Sequence, residues 1–379
     1  MKFRVGGCVA VGVVLLGASA LAQNVPAQFV VAGKAAEDIQ DFTTINLATA
    51  ERIANACEDA AVSQGVEISI QIVDHDGDDV YMDRMDGQGY LAIETAQMKA
   101  RTALMDRQPS KVLMNRVLED PAQELPAIQL GLFANSGGLP IVVNKQLIGV
   151  VGVGGSAPRV PVWSDEICAH QALVQVLGPS VPPLVEDLPA RRNPNPRAAP
   201  VPSFAAAAPP KSSLPAEFVV RGKAAGEIFD GNQISLAAAK KIAHVCRDWA
   251  ASKGGTMSLA IIDNQGEPVH LERMDGQVHN DIRSALLKAQ TARKTRQPTS
   301  IRAAQLKNNP GGIPRQTALY DFFTESGGIP IVVDGQMIGA IGVSGGAGGG
   351  DENCALEGLK ATFGANVTLP LYPAAAAAP

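Results

Sequence analysis

Asp83-Arg84-Met85-Asp86-Gly87-Gln88 recurs 189 positions later as Glu272-Arg273-Met274-Asp275-Gly276-Gln277. The features around each copy recur in the same order. Upstream come a helical stretch with one cysteine and a short apolar run ending in Asp and a turn glycine. Downstream come Lys99-Ala100-Arg101-Thr102-Ala103 and Lys288-Ala289-Gln290-Thr291-Ala292, then Ser136-Gly137-Gly138-Leu139-Pro140 and Ser326-Gly327-Gly328-Ile329-Pro330. A glycine run and Asp165-Glu166-Ile167-Cys168-Ala169 or Asp351-Glu352-Asn353-Cys354-Ala355 close each copy. A repeat this long is a whole domain, since solenoid units run only about 20–50 residues. The chain of 379 residues is therefore a tandem duplication of one fold.

Periodicity predicts the elements of each unit. Asn46 and Ser235 sit at matching positions and suit an N-cap. Leu47, Ala50, Ile53, Ala54, Cys57 and Ala61 follow a helical period, as do Leu236, Ala239, Ile242, Ala243, Cys246 and Ala250. Gly65 and Gly254 stop those helices. Ile68 to Val73 alternates as a strand, and so does Met257 to Ile262. Asp74-His75-Asp76-Gly77 and Asp263-Asn264-Gln265-Gly266 carry turn chemistry. The acids at 74, 76 and 78 suggest a calcium loop, but Asp79 stands where that loop needs glycine, so a hairpin is the better reading. A middle helix runs from about Tyr90 to Arg107 and from Asp281 to Arg296, ended by Pro109 and Pro298. A second hairpin and a last helix follow. The order α-β-β-α-β-β-α predicts an α+β fold: an antiparallel sheet with the first and last helices on one face.

Residues 1–22 read as a signal peptide, with Lys2 and Arg4 before a short apolar core and Ala20-Leu21-Ala22 as the cleavage site. That core is shorter than a membrane span, so no stable membrane insertion is expected. The expected boundaries are 23–178 for the first domain, 179–216 for a linker with eleven prolines, 217–373 for the second domain and 374–379 for an Ala-rich tail. The mature protein is expected to be periplasmic or secreted. Net charge is −5 without a basic stripe, and aromatics make up 4%, which argues against nucleic acid as a partner.

Export permits disulfides. Cys57, Cys168, Cys246 and Cys354 allow three pairings. The duplication favours Cys57–Cys168 and Cys246–Cys354, each closed within its own unit; four buried free thiols are the alternative. No Cys-x-x-Cys and no paired histidine supports metal ligation by these groups.

The ordered set Arg-Met-Asp-Gly, Lys-Ala-x-Thr-Ala, Ser-Gly-Gly-x-Pro, Gly342-Val343-Ser344-Gly345 and Asp-Glu-x-Cys-Ala resembles the GlcG/HbpS family, whose members include heme-binding proteins. The resemblance covers nearly all of both units. Unit one departs at Gly152-Val153-Gly154-Gly155, where unit two has the serine. It implies an α+β fold, a small-molecule ligand of the heme class, and self-association of the two units as a pseudo-dimer or a larger homo-oligomer.

The residues offer matching chemistry. Covalent attachment is excluded without Cys-x-x-Cys-His. Noncovalent heme needs an apolar slot, cations for the propionates and an axial ligand. Arg84, Lys99, Arg273 and Lys288 are the cationic candidates. Asp86 and Asp275 either pair with them as internal salt bridges or join the ligand site. Tyr90 and His279 occupy matching positions at the start of the middle helix and can ligate iron. Ser344 and Gly345 lie where backbone N–H groups at a helix start can take an anion. The second reading is an enzyme that orients a small organic acid on the Arg/Asp/Lys groups and moves a proton. Serine hydrolase chemistry fits poorly, because no histidine recurs with Ser136 and Ser326.

Overall fold

A computed structural model describes residues 25–156, 163–179, 181–188, 211–228, 230–308, 321–346 and 350–370. The signal-peptide reading, most of the linker and the tail fall outside the described residues. Unit one begins with a short helix α1 (Lys34–Ile39), which sequence patterning did not show. It continues through α2 (Leu47–Ser63), β1 (Ser69–Asp74), β2 (Asp79–Arg84), α3 (Tyr90–Asp106), α4 (Ser110–Glu119), α5 (Glu124–Gln129), β3 (Gly138–Val143), β4 (Gln146–Gly154) and α6 (Asp165–Leu177). Unit two repeats it as α7 (Gly222–Ile228), α8 (Leu236–Ser252), β5 (Ser258–Asp263), β6 (Pro268–Arg273), α9 (His279–Thr295), α10 (Thr299–Asn308), β7 (Gly328–Val333), β8 (Gln336–Ser344) and α11 (Gly350–Phe363).

The helix starts are where the capping residues put them. Asn46 accepts from the Thr49 N–H at 2.8 Å and Ser235 from that of Ala238 at 3.2 Å. Gly65 and Gly254, at φ +66° and +70°, turn the chain out of the helices.

Among the described residues all strand pairs are antiparallel, and eight strands form one continuous sheet in the order β3-β4-β1-β2-β6-β5-β8-β7. Helices α2 and α6 cover one face of unit one, with Cys57, Cys168, Ile70, Ile72, Ile141 and Val153 in a common core. Cys57–Cys168 and Cys246–Cys354 are bridged, with Cα atoms 5.1 and 4.7 Å apart, inside the usual disulfide range. The bridges confirm that the first and last helices of a unit share a face.

The other face is covered too. Helix α3 packs Ala100 and Ala103 on Val73 and Val150, and α9 does the same in unit two. These helices lie so close to the sheet that a Cβ on Gly152 would strike the Ala96 carbonyl, and one on Gly342 the Ala285 carbonyl. The glycines of these strands therefore serve close helix–sheet packing.

The units meet edge to edge. β2 pairs with β6 through Tyr81↔Glu272, Met82↔Leu271 and Asp83↔His270, so each unit covers an edge the other would leave open. On the α3/α9 side the seam is apolar, with Met82 and Leu271 among Ile93, Ala96, Ile282 and Ala285. On the α2/α8 side it is charged. His270 Nδ1 lies 2.5 Å from Asp83 Oδ1, and its Nε2 lies 3.4 Å from Glu272 Oε2, with all three side chains wholly buried.

Burial alone would disfavour the His270 imidazolium, but the Asp83 and Glu272 carboxylates overcome it and raise its pKa to about 9. Burial likewise opposes the Asp83 carboxylate, yet His270 and Lys240 hold it down to about 2. Glu58, buried beside Asp83, is pushed up to about 9.

The sign for stability follows. His270 normally titrates near 6.5. Its contribution is complete below that pH and is lost as pH rises through about 9, and the raised Glu58 acts in the same direction. The denaturation midpoint should therefore fall between pH 6.5 and 9. His270→Gln should flatten that fall, and an unchanged pH slope in the variant would refute the assignment.

Candidate functional site

The repeated motif supplies the first surprise of the site: its polar groups are spent across the seam. Arg84 Nη2 donates to Asp263 Oδ2 at 2.7 Å, its Nε to the Pro268 carbonyl and its Nη1 to the Gln88 carbonyl, both at 2.9 Å. Arg273 mirrors it on Asp74 at 2.5 Å. Both arginines are buried, and their carboxylate partners end β1 and β5 of the opposite unit. Asp86 and Asp275 do not pair with the arginines. Asp86 Oδ1 accepts from the Leu236 N–H and Asp275 Oδ1 from the Leu47 N–H, each at 2.8 Å. Each thus adds a carboxylate at the N-terminus of the other unit's first long helix, where the helix dipole favours negative charge. Burial raises both carboxyls above the ordinary aspartate range, against the pull of the capped N–H.

Lys99 and Lys288 are also buried. Lys99 Nζ reaches Asp165 at 2.6 Å and the Val153 carbonyl at 3.0 Å. Lys288 Nζ reaches Asp351 at 2.8 Å, the Val343 carbonyl at 3.0 Å and Ser344 Oγ at 3.5 Å. The paired carboxylates hold the glycine loops in turn: Asp165 Oδ1 accepts from the Ser156 N–H at 2.9 Å and Asp351 Oδ1 from the Gly346 N–H at 2.6 Å. These lysines position a loop. The Arg, Asp and Lys groups named for proton transfer do not converge on one point: the arginines and lysines are each held in a buried ion pair, and Asp86 and Asp275 each cap a helix.

A shared cavity nevertheless exists in unit two. It measures about 720 Å³ and is bordered by the motif turn Asp275-Gly276-Gln277 and by Gly345, Gly346 and Gly350. Arg273 lies outside it. Trp249 and Met257 supply apolar wall, and Lys253 stands at the rim. Unit one completes it with Lys34, Ala35 and Asp38 of α1, which packs on the motif turn of unit two: a Cβ on Gly276 would come within 3.3 Å of the Ala35 side chain. Lys34 and Asp38 were not anticipated, and nothing in the weakly patterned segment 23–43 marks them.

Tyr90 and His279 open α3 and α9, half-exposed and apart from the residues lining this cavity. His279 Nδ1 lies 3.2 Å from Asp78 and borders a smaller cleft of about 140 Å³ with Arg273, Asp41 and Asp76. Asp41 and Asp76 of that cleft, with the neighbouring His75, bring one ligand atom each within 4.8 Å of one another, but Asp41 already accepts the Thr43 N–H and the Thr43 and Thr44 hydroxyls.

Among the described residues no helix is long and apolar enough to cross a membrane.

Comparison with known proteins gives the same unit twice. The profile described as "Haem degrading protein HbpS-like" matches residues 45–174 and again 234–360. An uncharacterized 15.0 kDa protein of the dhaT-dhaS intergenic region of Citrobacter freundii is 33% identical over 138 residues, 35% of this chain and 93% of that protein. Protein GlcG of Escherichia coli strain K12 is 33% identical over 104 residues, 27% of this chain and 76% of its own length. The crystal structure of a PduOC:heme complex aligns at 22% identity and a TM-score of 0.33, covering 36% of this chain and 97% of that one. With both matched regions spanning most of the described chain, the protein belongs to the HbpS-like family and carries its domain in two copies.

Proposed function

We propose that the chain is an exported protein that holds heme, or a related tetrapyrrole, noncovalently in the cavity between the motif turn of unit two and α1 of unit one. The observation that carries the reading is that cavity: its 720 Å³ lies within the roughly 300–1,000 Å³ typical of small-molecule sites. Its chemistry suits the group. Trp249 and Met257 offer apolar surface, and Lys34 of unit one and Lys253 of unit two are cations in the lining that can meet carboxylates. Heme would supply the redox and spectroscopic properties, while these residues bind and orient it. Met257 is the cavity's own candidate for an iron ligand. His279 and Tyr90 are the competing candidates, and His279 would act from the smaller cleft. Family membership supports the ligand class. The two disulfides agree with the export read from the N-terminus.

Hemin titration followed at the Soret band tests the proposal. Saturation at a fixed stoichiometry is expected, with affinity lowered by about tenfold or more in Trp249→Ala, a loss near 1.4 kcal/mol. Met257→Leu should shift the band if the thioether ligates iron, and His279→Ala should shift it if the imidazole does. Followed over time, the same spectra report whether bound heme is consumed. A titration without a stoichiometric spectral change would remove the reading.

A further inference from the structure

The charged side of the β2–β6 seam is not symmetric. Positions 189 apart occupy equivalent places in the two units, yet two of them carry opposite charge: Glu51 matches Lys240, and Glu58 matches Arg247. Asn55 matches His244, Tyr81 matches His270, and Asp83 matches Glu272. The contacts use those differences. Lys240 Nζ, from unit two, lies 2.7 Å from Glu58, 2.8 Å from Asp83 and 3.1 Å from the Asn55 amide oxygen, all in unit one. Arg247 Nη1 lies 3.0 Å from Glu51 and 3.6 Å from Glu272. His244 Nε2 is 3.0 Å from Glu51 as well.

We propose that this cluster is a pairing code: it makes unit one accept unit two across the seam and reject a second copy of itself, and likewise for unit two. The argument is a substitution by symmetry. A pair of two unit-one copies would place Glu51 and Glu58 where Lys240 and Arg247 stand. Glu51 and the wholly buried Asp83 of both copies would then face one another, with Glu58 adding an acid and no countercharge, and with no cation at any of the five matched positions. A pair of two unit-two copies would set Lys240 and Arg247 against their own kind, with Glu272 as the acid left among those positions. Like charges opposed at a buried contact suppress the wrong partner, and complementary ones fix the right one.

The apolar side offers no such discrimination, because Met82 and Leu271 are alike in chemistry and pack into one cluster. The consequence reaches the large cavity, whose lining draws on α1 of unit one and the motif turn of unit two. Only the mixed pair brings those two surfaces together as they stand here. The inference does not depend on what the cavity binds.

The test uses the full chain with a protease site placed between residues 189 and 210. After cleavage, native mass spectrometry should find the halves associated as mixed pairs, and mixing heavy- and light-labelled cleaved protein should yield no pair of like halves. Lys240→Glu with Arg247→Glu should weaken the mixed pair on the order of a hundredfold, the scale for losing partners of buried charges. Adding Glu51→Lys and Glu58→Arg to that variant should restore it. The two-fold relation keeps Asp83 and Glu272 on either side of the exchanged charges. Like pairs from the unaltered protein, mixed pairs that survive the double reversal, or a fourfold exchange that fails to restore association would each overturn the proposal.

Discussion

Arg84→Ala is expected to lower the free energy of unfolding by about 3–5 kcal/mol, the cost of stranding one partner of a buried ion pair. The partner left behind is Asp263, 1% exposed. Its Oδ1 keeps the N–H groups of Gln265, Gly266 and Glu267, and its Oδ2 keeps the Gln233 amide. Hydrogen bonds survive; the countercharge does not. The Pro268 and Gln88 carbonyls also lose their donor. Arg84→Lys should recover only part of the loss, because an ammonium cannot reproduce the guanidinium fork. Urea denaturation of the three proteins reads this directly. A ligand-clamping arginine would behave in the opposite way: hemin affinity would fall and the denaturation midpoint would stay where it was.

Removing a disulfide should have a comparable effect. Cys57 and Cys168 close a loop of 111 residues, and Cys246 and Cys354 one of 108. On the chain-entropy account, each bridge restricts the unfolded ensemble by about 4–5 kcal/mol. Cys57→Ala with Cys168→Ala should therefore lower the unfolding free energy by that order, and so should Cys246→Ala with Cys354→Ala. All four cysteines are fully buried, so the paired alanines also leave small voids and add to the loss. Calorimetry of both double variants checks it. A loss below about 1 kcal/mol in either would mean that the unfolded chain already keeps α2 near α6, or α8 near α11, without the bond.

Much of the architecture was legible because duplication repeats every local signal. Asn46 and Ser235 marked two helix starts, Gly65 and Gly254 two helix ends, and the paired cysteines showed which helices share a face. The site was less legible, and the reason is distance along the chain. Arg84 meets a carboxylate 179 positions away and Arg273 one 199 positions away. A motif read within its own unit offers Asp86 and Asp275 as the obvious partners, and these turned to the opposite helices instead. Ile70 and Ile72 alternate with Gln71 as a strand should, and Gln71 is wholly buried too, because α3 lies over its side of the sheet. The cavity escaped for a different reason. Its far wall comes from α1, six residues with no strong period. Only the edge-to-edge joining of the units brings that helix to the turn it closes.

The exchange of Asp86 and Asp275 also bears on synthesis. The N–H of Leu47 receives its carboxylate from position 275. When a ribosome has finished the first half of the chain, that residue has yet to be translated, and the opening turn of the early helix must make do with water. Asp86 is in the reverse position, already waiting when Leu236 emerges. The later half therefore finds its capping carboxylate ready-made, while the earlier half gains its own only in the act of receiving the later one.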